Sequence, residues 1–344
     1  MLLLIGLFAC ASPAVCQTND IFYRSWHWLK EPSAGRAAGL AGAMTAVPDD
    51  ASSLESNPGA LASLSRAEIV GAVLSRESGR TVVGDALRAG TGMGFFGIAG
   101  RISTRWSAGF YASEPVAARI DLAPLVLTDG SRDQGSLRGS VREGGLSTAW
   151  RATGRLHLGA RFALTRLRIA GEYRRQPETG PAKLDVGTRG EQVRLTSSLG
   201  LLYEATPRLR LGLVRVSGAS WALERTALSP ALGVVLDPGS EYEVRQPSLV
   251  SGAASLRLSP KLMLAGQLDY VRYGEIQAAI AIRPGGYARE PYTIFAWEPR
   301  LGVEVSLPRR AHSLQLRAGL HGLGLNALGG GAAVAAGAAA AATA

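Results

Sequence analysis

From about Ala67 onward the chain is written in short runs of alternating apolar and polar residues, each about 9 to 14 residues long. Successive side chains of a strand point to opposite faces, so a period of two makes each run a strand with one greasy and one polar face. In 192–203, Val193, Leu195, Leu199, Leu201 and Tyr203 share one parity with Ser197, while Gln192, Arg194, Thr196, Ser198 and Gly200 share the other with Leu202. The same division sets Leu301, Val303, Val305 and Leu307 against Arg300, Gly302, Glu304 and Ser306. It also sets Leu314, Leu316, Ala318 and Leu320 against Ser313, Gln315, Arg317 and Gly319. A tilted strand crosses a bilayer in ~9–11 residues, which these runs match.

The connections fall into two length classes. Tight turns stand at Ser103-Thr104-Arg105, Ala152-Thr153-Gly154-Arg155, Ala205-Thr206-Pro207-Arg208, Ser259-Pro260-Lys261 and Leu307-Pro308-Arg309-Arg310. Between them lie long stretches rich in Gly, Pro and charge at about 114–142, 170–190, 218–244 and 273–292. Short turns at one end and long loops at the other describe a barrel with its tight turns periplasmic. The pattern therefore predicts an all-β chain, an antiparallel transmembrane β-barrel. Eleven strands can be counted: 67–75, 93–102, 105–113, 143–151, 155–168, 191–204, 208–217, 248–259, 261–272, 293–307 and 312–321. Single-chain bacterial barrels have even strand numbers, so a twelfth is expected in 79–88 or 116–128, or else the last strands are missing.

Composition narrows the function classes. Apolar residues make up 47% of the chain and no body run of 18 strongly apolar residues occurs, which argues against helical spans. The net charge is +10 and almost wholly Arg, with Lys only at 30, 183 and 261, but no nucleic-acid recognition motif accompanies it. Both cysteines, Cys10 and Cys16, lie in an apolar leader that reads as a signal peptide (1–17), cut between about Ala14 and Gln17. His27, His157, His312 and His321 have no metal-ligand spacing, so no metal or other cofactor is expected. Gly92-Met93-Gly94-Phe95-Phe96-Gly97 fits a dinucleotide fingerprint by letter only, since it opens a strand where that motif opens a helix. With no nucleophile elbow, P-loop or HExxH, an enzyme is not expected.

The remaining segment, 18–65, precedes the strands, and 322–344 follows them as a low-complexity Ala/Gly tail. Within the first lie Gly35-Arg36-Ala37-Ala38-Gly39, Gly42-Ala43, Asp49-Asp50-Ala51 and Asn57-Pro58-Gly59-Ala60. This stretch resembles the N-terminal signature of FadL-type outer-membrane transporters, in which a G-A-R-A segment leads through D-D-A to an N-P-A motif before the first strand. The related PorV-type barrels open similarly. The resemblance implies a small N-terminal hatch plugging a barrel, normally of fourteen strands, in the bacterial outer membrane. It also implies passive uptake of hydrophobic small molecules such as long-chain fatty acids, which leave sideways through the wall into outer-membrane lipid. For a PorV-type barrel the implied role is instead a scaffold or shuttle for secreted proteins. Asn57 and Pro58 match the hatch motif, and Gly59 stands where Ala is usual; the chain is short of strands and its end lacks a closing aromatic strand.

Read physically, Asn57-Pro58-Gly59 is turn chemistry. Asp49 and Asp50 either pair with wall arginines or cap a short helix starting near Ala51. Arg101, Arg161, Arg194, Arg210, Arg257, Arg300 and Arg317, with Arg151, lie on the polar parity and are expected to face the lumen. There they either attract anionic head groups, or fill and hydrate the lumen, or pair with Glu304, Asp269 and the hatch carboxylates. Trp106, Phe110, Tyr111, Trp150, Tyr203, Trp221, Tyr270 and Tyr273 are expected as interfacial girdle residues. Phe22, Tyr23, Trp26 and Trp28 precede the hatch and either anchor it or line a ligand pocket.

Overall fold

The computed structural model describes residues 33–48, 50–75, 79–80, 86–89, 91–126, 129–272, 275, 296–308, 313–322 and 334–343. The leader, the aromatic cluster at 22–28, Asp49, Tyr273 and most of the stretch 273–292 lie outside the described residues.

The described residues ahead of the first strand, 33–67, are called the hatch segment here and carry two short helices, α1 (Gly35–Gly39) and α2 (Ser53–Ser56), and a 3-10 turn, Pro58–Ser63. Among the described residues sixteen strands follow in one antiparallel sheet. They are β1 (Glu68–Ser75), β2 (Gly79–Arg80), β3 (Ala86–Ala89), β4 (Thr91–Arg101), β5 (Trp106–Val126), β6 (Arg132–Arg151), β7 (Leu156–Gln176) and β8 (Leu184–Glu204). The second half comprises β9 (Leu209–Val216), β10 (Ala219–Ser229), β11 (Val234–Gln246), β12 (Leu249–Ser259), β13 (Leu262–Val271), β14 (Ala296–Pro308), β15 (Ser313–Gly322) and β16 (Val334–Thr343).

Twelve of these form one continuous ladder, β1-β4-β5-β6-β7-β8-β9-β12-β13-β14-β15-β16. Eleven are the runs counted by alternation. The twelfth, β16, comes from the Ala/Gly tail and pairs in register with β15 from Ser313↔Thr343 to Gly322↔Val334. α1 packs against both ends of the order, β16 and β1, so the sheet curls around the hatch.

The connections predicted as long loops at 114–142, 170–190 and 218–244 are instead largely paired strand. β5 to β8 run 20 or 21 residues each, about twice what a bilayer requires, and stay paired to their tips, the β5–β6 pairing shifting register between Ser113 and Val116 and again between Leu122 and Leu125. β10 and β11 form a separate hairpin whose flank, Glu224 to Leu228, pairs with the far half of β8. The described residues of segment 79–88 form the short β2 and part of β3, and 116–126 simply continues β5. Beyond the lipid, nothing forces a greasy outer parity, so alternation fades although the backbone ladder does not.

Exposure shows which parity faces out. Leu195 and Leu199 are 65% and 63% exposed, whereas Thr196 and Ser198 between them are 2% each. Along β7, Leu158, Phe162 and Leu164 are likewise exposed while Arg161, Ala163 and Thr165 are buried. Greasy outside and polar inside is the reverse of a water-soluble sheet and fits a lipid surround. Trp106 and Trp150 stack on that outer face at the short-turn end, ring centroids 6.3 Å apart. Two aromatics depart from the girdle expectation. Tyr111 lies on the inward parity and is 2% exposed, and Trp221, a residue of β10, is fully buried.

Candidate functional site: the hatch against the wall

The hatch segment packs against the inward face of the sheet. Its apolar side chains, among them Leu40, Met44, Val47, Leu54, Leu61 and Leu64, are buried with Phe95, Ala99, Tyr111, Ala163 and Met263 of the wall. At about 1.5–3 kcal/mol for each large buried side chain, this packing anchors a segment that has very little regular structure of its own.

Two pairs of wall glycines let the hatch backbone touch the sheet. Gly159 of β7 and Gly200 of β8 are register partners. A Cβ on Gly200 would lie 2.1 Å from Asn57 Oδ1, and one on Gly159 would lie 2.3 Å from the carbonyl carbon of Pro58. Gly302 of β14 and Gly319 of β15 are also partners, and there a Cβ would reach Leu40 Cδ2 at 2.9 Å and Leu40 C at 2.5 Å respectively. A side chain at Gly159, Gly200 or Gly319 would overlap hatch backbone, whereas at Gly302 the nearest atom is the end of the Leu40 side chain.

Asn57 joins the hatch to itself and to the first pair. Fully buried, it donates through Nδ2 to Thr45 O at 2.6 Å and to Leu201 O of β8 at 3.1 Å, while its Oδ1 accepts from Gly59 N at 2.9 Å. Pro58 opens the 3-10 turn, where its missing N–H costs nothing. Gly59 faces Gly200, with 2.9 Å from an added Cβ to Gly200 O. The hatch carbonyls find donors on the wall: Ser147 Oγ to Leu54 O at 2.7 Å, Ser255 Oγ to Ala46 O at 2.6 Å, Arg151 Nη2 to Ala62 O at 2.7 Å, and Arg161 Nη1 to Glu55 O at 3.0 Å.

The arginines singled out from the sequence divide by location. Arg300 is buried, ion-paired to Asp269 at 2.7 Å, and donates to Ala41 O at 3.2 Å. It reaches that carbonyl because residue 42 is a glycine at φ +81, where a Cβ would meet Arg300 Nη1 at 2.2 Å. Arg317 pairs with Glu304 at 2.6 Å, and Glu304 also receives Arg36 of the hatch at 2.9 and 3.0 Å. Arg161 contacts Glu143 at 3.1 Å and the Tyr111 hydroxyl at 3.2 Å; Tyr111 in turn donates to Glu143. Arg210 sits at the short-turn rim beside Glu204, 3.6 Å away. Arg101 and Arg257 are exposed at that same rim, and Arg101 donates to Thr104 O. Arg194 is exposed toward the other end and donates to Ser220 O at 2.8 Å.

Asp50 combines its two sequence readings in altered form. It pairs at 3.3 Å with Arg36, a hatch arginine rather than a wall one, and it accepts from Ser52 N just ahead of α2. Glu55, which the sequence did not single out, is held by Ser33 Oγ. Burial and the nearby Glu143 carboxylate push its carboxyl up to about 7, burial being the larger cause.

An apolar concavity of about 560 Å³ opens on the outer wall over β4 to β7. Its floor is a row of small residues in register, Gly100, Ala108, Thr148 and Ala160, below a row of large ones, Ile98, Phe110, Leu146 and Phe162. Ala99 and Ser147, which meet the hatch from inside, also line it, so one layer of backbone separates it from the hatch. Among the described residues no cluster of potential metal ligands occurs.

No protein-family model and no curated protein matches the chain. Solved structures do. The toluene transporter TbuX of Ralstonia pickettii aligns with a TM-score of 0.63 at 12% identity, covering 85% of this chain and 87% of its own. A Pseudomonas aeruginosa FadL homologue gives 0.59 at 14% identity, covering 85% and 80%. The Pseudomonas putida toluene transporter TodX gives 0.59 at 13% identity, covering 86% and 84%. The chain has the fold of the FadL-type outer-membrane transporters.

Proposed function

We propose that this chain is an outer-membrane channel for passive uptake of hydrophobic small molecules, gated by its N-terminal hatch. The observation that carries the reading is the docking of the hatch on wall glycines inside a barrel with a greasy outer face. A polar solute would have no reason to prefer such a wall, whereas an apolar one released beside the hatch needs to cross only one layer of backbone to reach lipid at the concavity over β4 to β7. Asn57, Pro58, Gly59, Asp49 and Asp50 belong to the gate, and the buried pairs of Arg161, Arg300 and Arg317 hold it shut. Toluene, the ligand class of TbuX and TodX, and long-chain fatty acids are the two substrate classes to test.

The test is uptake of radiolabelled toluene and oleate by cells carrying the wild-type chain, Asn57→Ala or an empty vector. Entry of either compound above the vector, altered by Asn57→Ala, supports the reading; no entry of either refutes it. The long paired hairpins of β5 to β8 and β10–β11 favour a second reading, a scaffold for secreted proteins. In that case the purified barrel carries a stoichiometric secreted protein and transports neither compound.

A further inference from the structure

Four of the short turns repeat one three-residue pattern: Ser103-Thr104-Arg105, Thr153-Gly154-Arg155, Thr206-Pro207-Arg208 and Ser259-Pro260-Lys261. Each is a hydroxyl, one spacer and a cation. The hydroxyl accepts from the backbone N–H of the cation every time, at 3.3, 3.2, 3.2 and 3.2 Å. In the three with arginine it accepts from the following residue as well, at 3.1, 3.0 and 2.9 Å. Each cation's own carbonyl accepts from the neighbouring hairpin, at 2.8 Å in every case: from Arg151, Glu204, Arg257 and Ser306. The backbone beneath each cation is therefore fixed twice over. Being two strands apart within a ladder, consecutive cations are spaced by about 10 Å around the rim.

All four side chains are exposed, and among the described residues none has a carboxylate within ion-pair distance. The opposite end differs: Arg166, Arg174, Arg175 and Lys183 are ion-paired to Glu191, Asp185, Asp133 and Asp129 at 2.5 to 2.7 Å. The unpaired cations also sit at a definite height. Arg105 immediately precedes Trp106, which stacks on Trp150, and Arg155 lies one residue from Leu156, the register partner of the outward-facing Tyr203. Tryptophan and tyrosine at strand ends mark the level of lipid head groups.

We propose that this rim is a head-group collar that binds the phosphates of anionic phospholipids in the leaflet on the short-turn side. Charge complementarity, the matching height of the aromatics and the fixed turns all fit a layer of lipid phosphates. They do not fit a single folded partner, which would contact one arc of the rim rather than cations spread over four hairpins. The inference rests on the membrane placement and is independent of what the channel carries.

The test is reconstitution of the full chain in vesicles of four parts phosphatidylethanolamine to one part phosphatidylglycerol, extraction in polymer-bounded discs, and quantification of the retained lipid. One cation near an anionic surface shifts partitioning by about fivefold. The wild type should therefore hold phosphatidylglycerol several-fold above the bulk ratio. The variant R105Q/R155Q/R208Q/K261Q should return it to the bulk ratio, and R105K/R155K/R208K should keep the enrichment. Insertion with the bulk ratio in the wild type, or enrichment that survives the four Gln substitutions, overturns the collar alone. Failure to insert at all overturns the membrane placement and the collar with it.

Discussion

Replacing Gly200 by alanine is the smallest change that forces the hatch and wall apart. The added methyl would lie 2.1 Å from Asn57 Oδ1 and 2.9 Å from both Gly59 N and Pro58 Cδ. β8 cannot retreat, because Gly200 is held between Gly159 on one side and Val214 on the other. The hatch must yield, and the hydrogen bonds of Asn57 to Thr45 O, Leu201 O and Gly59 N go with it. Overpacking of this kind costs about 1–3 kcal/mol, and stranded buried partners add about 1–3 kcal/mol. A total of about 2–6 kcal/mol corresponds to a roughly thirtyfold or greater rise in hatch opening. Hydrogen exchange of the purified barrel reads this directly, since protection of residues 40–64 should fall by that factor while the strands keep theirs. Gly252→Ala is the control, because a Cβ there meets nothing within 4 Å. If Gly200→Ala leaves hatch protection within threefold of the wild type, the docking argument is wrong.

The Glu55 carboxyl, raised from 4.5 to about 7, makes the hatch sensitive to pH. A raised folded-state value means its contribution is full below about 4.5 and is lost as pH rises through about 7; the shift is worth about 3–4 kcal/mol. Single-channel opening should therefore be more frequent at pH 8 than at pH 5, and Glu55→Gln should flatten that dependence. Asp269→Ala strands Arg300 in the interior, so the melting temperature should fall by an amount fitting about 3–5 kcal/mol, with Asp269→Ala/Arg300→Met recovering much of it. Equal melting of the two variants would mean the pair is not what holds that wall. Asn57→Ala should raise leak conductance while the barrel stays inserted, and an unchanged leak would remove Asn57 from the gate.

What the sequence made legible follows from what the surroundings demand of each residue. Eleven strands could be read because lipid on one face and the hatch on the other impose alternation. The distal halves of β5 to β8, and the whole β10–β11 hairpin, face water on more sides, so their polar residues look like loop. β16 has almost no side-chain pattern to read, being nearly all alanine, yet a ladder needs only backbone. At the site, Asn57-Pro58-Gly59 was visible as turn chemistry. Gly159, Gly200, Gly302 and Gly319 were visible too, as glycines on a polar parity, but a single strand does not tell what approaches it from across the lumen. Tyr111 was assigned by residue type to the girdle, although its shared parity with Gly109 and Ser113 already pointed inward.

The two glycine pairs stand about half the circumference apart, one on β7–β8 and the other on β14–β15. A segment docked closely at these two places, and hydrogen-bonded to the wall between them, cannot slide out like a piston without releasing every fastening together. It can instead tilt, pivoting on one fastening while the other lets go, which asks for only part of the total binding energy. Such a tilt opens a crescent along one side of the lumen and leaves the bulk of the hatch in place. In the channel proposed above, the aperture would then be limited by the geometry of the pivot rather than by the bore of the barrel, so a slim solute would pass where anything wide would not.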